Sequence, residues 1–169
     1  MSRGSRHFVG ALSLMLVLLV VAAAALADKP VPKNGVLNGY TSQGSPYHGV
    51  THFTVSKSGR AVTLEIVPIG VSCEINGSSG LQSSAVISSE NFSPTGKADT
   101  LAIVKGKFSY NGPIYGVLSV TGKGQISGTF KLPTKIVGSA RFSWPSSTVG
   151  PGLEGPCDSG KMTFSATHE

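Results

Sequence analysis

Gln125-Ile126-Ser127-Gly128-Thr129-Phe130-Lys131-Leu132 sets Ile126, Gly128, Phe130 and Leu132 on one side of the chain and Gln125, Ser127, Thr129 and Lys131 on the other. A period of two is what a pleated strand with one buried and one wet face requires. The alternation recurs over residues 138–144, with Ala140, Phe142 and Trp144 inward and Ser139, Arg141 and Ser143 outward, and over residues 161–167 with Met162, Phe164 and Ala166 inward. Upstream, Val62, Leu64 and Ile66 alternate with Thr63 and Glu65, Phe53 and Val55 follow Thr51, and Phe108 and Tyr110 alternate with Lys107 and Ser109. No window beyond residue 27 shows the 3.6-residue period of a helix longer than about two turns.

Turn chemistry punctuates this pattern. Asn34-Gly35, Asn38-Gly39, Asn76-Gly77 and Asn111-Gly112 tolerate positive φ, and Gly122-Lys123-Gly124 reads as a hairpin closure. Strands are expected near 36–41, 49–55, 61–71, 82–89, 102–110, 115–122, 125–131, 138–144 and 161–167. The fold class is therefore all-β, an antiparallel β-sandwich or a flattened barrel of about nine strands. Residues 145–156, with Gly150, Pro151 and Gly152, read as the longest irregular surface loop.

Ahead of the strands, Arg3 and Arg6 lead an apolar run from Phe8 to Leu26 that ends in Ala25-Leu26-Ala27. Basic residues, an apolar stretch and small residues in that order make an export signal over 1–27, cut between Ala27 and Asp28. An uncleaved anchor is the alternative, since the run approaches the length of a membrane span. Residues 28–35 form a short linker and 36–169 a single domain, within the usual size of one folding unit. Export implies a secreted or cell-envelope location and an oxidising compartment. Cys73 and Cys157 are the only two cysteines, so they are expected to form a disulfide.

The formal net charge is +6, of which Arg3 and Arg6 supply two. Lys97, Lys105, Lys107, Lys123, Lys131 and Lys135 are spread along the sequence and read as solvated faces and protected edges. Export and that dispersal exclude nucleic acid as a partner, and leave membrane contact only to an uncleaved signal. His48 and His52 have helical chelating spacing, but Pro46 and Gly49 break a helix, and on a strand the two rings would stand roughly 13 Å apart. No metal ligand set and no cofactor motif is expected. His168, next to the chain end, is expected to fray.

No nucleophile elbow, zinc-hydrolase pair or serine-lysine motif is present. Glu65, Glu74, Glu90, Asp99, Glu154 and Asp158 supply carboxylates for glycoside hydrolysis only if folding brings two of them together. No catalytic residue is assigned. The aromatic candidates for contact are Tyr40, Tyr47, Tyr110, Tyr115 and Trp144; Tyr40 and Tyr47 flank Thr41-Ser42-Gln43-Gly44, so Tyr40, Gln43 and Tyr47 form the expected binding turn. Trp144, in phase with Phe142, is expected in the core. Asn76-Gly77-Ser78 and Asn91-Phe92-Ser93 are glycosylation sequons that matter only in a eukaryotic secretory route.

Gly39-Tyr40-Thr41-Ser42-Gln43-Gly44, Cys73, Ile103 to Ser109, Ser127-Gly128-Thr129-Phe130 and Cys157-Asp158-Ser159-Gly160 followed by Phe164-Ser165-Ala166 occur in that order. In this the chain resembles an uncharacterised family of small exported all-β proteins common in actinobacteria. Leu37 replaces an aromatic residue and Phe164 a frequent tryptophan of that pattern. The resemblance implies export, paired cysteines and β architecture, and no activity. The function expected is a non-catalytic secreted or envelope-associated binding or structural module whose partner is a cell-envelope polymer or an extracellular protein. A small secreted carbohydrate-active hydrolase is the alternative.

Overall fold

A computed structural model describes residues 30–44, 47–75, 78–118, 120–150 and 153–168. The expected cleavage residues Ala25, Ala27 and Asp28, and the Asn76-Gly77 turn, lie outside them. Among the described residues the chain is all-β, as the alternation requires. β1 (Gly35–Thr41), β2 (Val50–Val55) and β3 (Ala61–Ile75) form a meander, and β4 (Ser78–Ser88) returns along β3. A single 3-10 turn at Ser89–Phe92 precedes the short β5 (Leu101–Ala102). β6 (Lys107–Val117), β7 (Val120–Leu132) and β8 (Lys135–Gly150) form a second meander, followed by β9 (Leu153–Asp158) and β10 (Met162–His168).

Every pairing is antiparallel, and the sheet closes on itself. β1 lies between β2 and β10, and β10 also pairs with β8 over residues 135–140. β8 then outruns β10 and pairs with β9 from Ser143 onward, while β9 meets β3 at Ser72 and Cys73. The ring β1–β2–β3–β9–β8–β10 is a closed barrel. β4 and β5 extend it beyond β3, and β7 and β6 extend it beyond β8. Closure leaves β1, β2 and β10 paired along both edges, which removes there the commonest hazard of β-sheets.

The inward residues are those the alternation selects, except Leu132, which follows a register shift after Phe130 and is exposed instead of buried. Leu37, Phe53, Ile66, Ile136, Phe142 and Trp144 are all essentially inaccessible to solvent. Phe53 packs between Phe108 and Phe164 at centroid distances of 5.9 and 5.0 Å, and Phe108 meets Phe130 edge-on at 6.4 Å. Each such ring contributes about 1.5–3 kcal/mol through removal of apolar surface from water. Two strand glycines make room for them: a Cβ on Gly128 would lie 2.2 Å from Cζ of Phe108, and one on Gly138 would lie 2.3 Å from Cζ of Phe164.

Several turn assignments are corrected by the same physics. Gly122-Lys123-Gly124 is not a hairpin but the body of β7, where a Cβ on Gly122 would strike Trp144 at 2.6 Å and one on Gly124 would strike Ile114 at 2.9 Å. Asn38-Gly39 and Asn111-Gly112 likewise lie inside β1 and β6. The expected strand at 102–110 is divided by a turn at Lys105 and Gly106, both at positive φ, into β5 and β6. Residues 145–150 and 153–156, expected in a loop, instead form arms of β8 and β9, and residues 151–152 lie outside the description. The strand count is thus ten among the described residues rather than about nine. Pro68 sits in a long strand where the β3–β4 register shifts between Ile66 and Ile69, a bulge that excuses its missing N–H.

Candidate functional site

The turn expected to bind is built largely from internal contacts. β1 ends at Thr41, and Ser42 continues as a clasp on β10: its N–H donates to Thr163 O at 2.8 Å and its hydroxyl accepts from Thr163 N at 2.9 Å. Gln43 Nε2 donates to the carbonyls of Gly70 at 2.8 Å and Ser159 at 3.2 Å, while its Oε1 accepts from Gly70 N at 2.9 Å. That side chain ties β1 to the middle of β3 and to the β9–β10 connection, so its hydrogen-bonding capacity is used within the fold. Tyr47 lies over Gly70, where an added Cβ would approach its ring to 2.7 Å, and is half-buried. Tyr40 alone of the three projects freely, at 66% exposure.

Cys73 and Cys157 form the expected disulfide and face each other directly across the β3–β9 seam. Beside it an open groove of about 690 Å³ is lined by Glu74, Lys123, Trp144 and Asp158 among others. Asp158 is held in a forked ion pair by Arg141 at 2.8–3.2 Å and accepts from Gly160 N at 2.6 Å. That hydrogen bond and charge raise the Arg141 pKa. A second groove, of about 440 Å³, brings Glu65 and Glu90 beside His52. His52 is exposed on β2 and shares a 2.7 Å hydrogen bond with Asn38, while His48 precedes the strand. No group of three or more His, Cys, Asp or Glu among the described residues gathers around one point.

Two further expectations meet the structure. His168 does not fray: it ends β10, donates its N–H to Thr134 O at 2.9 Å, and lies against Gly35. Asn91 of the second sequon gives its side-chain N–H to Tyr115 O at 2.9 Å, so the amide a glycan would need is engaged. Next to it Phe92 stacks on Tyr110 at 4.3 Å, and burial, with the nearby Tyr115 and Asp99, pushes the Tyr110 pKa upward.

The strongest concentration of one chemistry lies elsewhere, and the dispersal of lysines in the sequence conceals it. In an antiparallel barrel alternate connections return to the same end. β1 begins there, β2 turns into β3, β5 turns into β6, β7 turns into β8, and β10 finishes. Main-chain hydrogen bonds tie these segments together: Lys33 N to Pro133 O, Ile103 N to Arg60 O, Phe130 N to Gly106 O and His168 N to Thr134 O, all at 2.8–2.9 Å. A Cβ on Gly59 would touch Pro32 O at 2.9 Å, which places the β2–β3 turn against the incoming chain.

Four of these segments carry cations; the finish of β10 carries no Lys or Arg, and Glu169 follows it in the sequence. Lys57 and Arg60 bracket the β2–β3 turn, and Lys105 and Lys107 lie on the turn into β6. Lys131 and Lys135 flank the β7–β8 turn, and Lys33 stands beside it. All but the half-buried Lys135 are exposed. Residues 30–34, 55–61, 102–107 and 130–136 contain no Asp or Glu. Val31, Val104 and Leu132, at 72%, 64% and 56% exposure, stand among these cations and make up half of the large exposed apolar side chains among the described residues. The reading of the lysines as dispersed is therefore corrected in three dimensions: Lys105, Lys107, Lys131 and Lys135 belong to one end, whereas Lys123 lies beside the disulfide groove. The chain matches no protein-family model, and no curated protein or solved structure is significantly similar to it.

Proposed function

We infer that this protein is an exported, non-catalytic binding module that holds an anionic target at the basic end of its barrel. One observation carries the reading: four separate chain segments deliver cations to a single surface that has no carboxylate among its described residues. Charges of one sign on adjacent rigid turns add their fields, raise the local concentration of anions and speed encounter. The disulfide fits the oxidising compartment that export provides. The resemblance to exported all-β proteins points the same way. A barrel stapled across its narrowest seam suits a module that presents a fixed surface rather than one that closes around a substrate.

Retention on an immobilised polyanion such as heparin tests this. The combined change Lys105→Gln, Lys107→Gln and Lys131→Gln should elute at clearly lower salt than the parent. Lys123→Gln with Lys161→Gln, away from the basic end, should shift elution far less. Equal shifts per charge removed would mean that net charge alone governs retention and would sink the reading. The hydrolase alternative has one geometric foothold, Glu65 and Glu90 in the groove beside His52. Turnover of a glycan panel that disappears in Glu65→Gln and survives the lysine changes would put that alternative first.

A further inference from the structure

The geometry points to an anionic phospholipid bilayer surface as what the basic end contacts, a conclusion that rests on the binding reading above. Charge alone would suit any polyanion, but the end is not only charged. Val31 ahead of β1, Val104 between β5 and β6, and Leu132 at the end of β7 stand among the lysines, each more than half exposed. A soluble polyanion gives such side chains no apolar phase to enter. A bilayer offers both layers at once, phosphate for the ammonium groups and the headgroup–acyl boundary for aliphatic tips. Lysine stems add to the match, since they lie along apolar surface while their charged heads reach outward.

The chain's own connectivity supports the same occupant. Pro30, the first described residue, enters at this end, two residues before Pro32 meets the β2–β3 turn. Residues 8–26 ahead of it are the apolar run. Were that run retained in a membrane, the four peptide steps from Leu26 to Pro30 would span at most about 14 Å, so the barrel would have to present its basic end to the lipid. Anionic headgroups act over roughly 8–10 Å at physiological salt, so the end of the barrel that faces the lipid is the part that feels them. Weak apolar insertion and a polybasic cluster are each insufficient for stable attachment, and together they supply the two signals that surface binding needs.

The test is co-sedimentation of the protein, purified as cells deliver it, with vesicles of phosphatidylcholine alone or with about one-third phosphatidylglycerol. Material that retains the apolar run inserts into both, so the ratio between the two vesicle types isolates the basic end. The expected result is a partition at least tenfold stronger onto the anionic vesicles, collapsing in high salt. Each lysine change among Lys105→Gln, Lys107→Gln and Lys131→Gln should lower it about fivefold, as expected for a cation near an anionic leaflet. Val104→Ser with Leu132→Ser should weaken vesicle binding while leaving polyanion elution unchanged, and Lys123→Gln should alter neither. Retention on the polyanion without vesicle preference would overturn the bilayer and leave the binding module standing with a soluble anionic polymer as its target. Vesicle binding indifferent to Val104→Ser and Leu132→Ser would likewise remove the apolar contribution on which the choice of lipid depends. Failure on both supports would remove the binding reading as well.

Discussion

Gln43 is an amide placed where three backbone groups need a partner: Gly70 N, Gly70 O and Ser159 O. Truncation leaves those groups to find water in a half-buried site, at a cost of about 1–3 kcal/mol for each that stays unpaired. Gln43→Ala should therefore lower stability by about 2 kcal/mol in denaturant titration, with an unchanged slope, whereas Tyr40→Ala should stay within about 0.5 kcal/mol because its ring is exposed. Equal effects of the two changes would refute the clamp. The sequence revealed Thr41-Ser42-Gln43-Gly44 as a special turn but not what made it special. A polar side chain between two tyrosines looks the same in one dimension whether it faces a ligand or the carbonyl of a residue 27 positions away. Trp144 was legible because it shares the phase of Phe142, and phase is a local property.

Strands were legible wherever branched or aromatic side chains alternated, Gly128 and Gly138 included, and misread at Gly122-Lys123-Gly124, Asn38-Gly39 and Asn111-Gly112, where glycine looked like a turn. Gly122, Gly124, Gly128 and Gly138 occupy inward positions against large side chains, so they relieve crowding rather than make turns. The distinction depends on what lies on the facing strand, which a local window does not contain. Closure at β9 is the weakest seam in pairing terms, since β9 meets β3 at two register positions, Ser72 with Asp158 and Cys73 with Cys157. The second of these pairs is also the disulfide. Covalent linkage thus replaces the ladder that the short contact cannot supply. With the cysteines 84 positions apart in the sequence, the chain-entropy account gives about 4.5 kcal/mol for the cross-link. Cys73→Ser with Cys157→Ser should lose most of that, and hydrogen exchange should quicken in β9 and the facing end of β3 before it does in β1 or β2. Uniform acceleration through the whole barrel would contradict the seam.

The molecule as a whole is polar in a way that no single segment announces. A hairpin at Gly122-Lys123-Gly124 would have reversed the direction of every later strand and sent Lys131 and Lys135 to the end opposite Lys57 and Lys105. Spacing along the sequence, on which the reading of the lysines as scattered rested, does not say which of them share an end. With β7 running unbroken to Leu132, the four cation-bearing segments coincide. Such an arrangement works against the fold that carries it, because like charges brought together by folding repel one another and are farther apart in the unfolded chain. The barrel should accordingly gain stability as ionic strength rises from about 10 mM to about 200 mM, where the screening length falls from roughly 30 Å to below 10 Å. Lys107→Glu and Lys131→Glu, each set among neighbouring cations, should raise the thermal midpoint at low salt by a few degrees, the shift a change of about 1 kcal/mol produces in a domain of this size. That gain should vanish at high salt. Lys123→Glu, beside the disulfide groove, should leave the low-salt midpoint nearly where it was. A salt-independent midpoint, or an equal response at Lys123, would mean that the cations do not feel one another, and both the stability argument and the shared field on which anion binding depends would fall together.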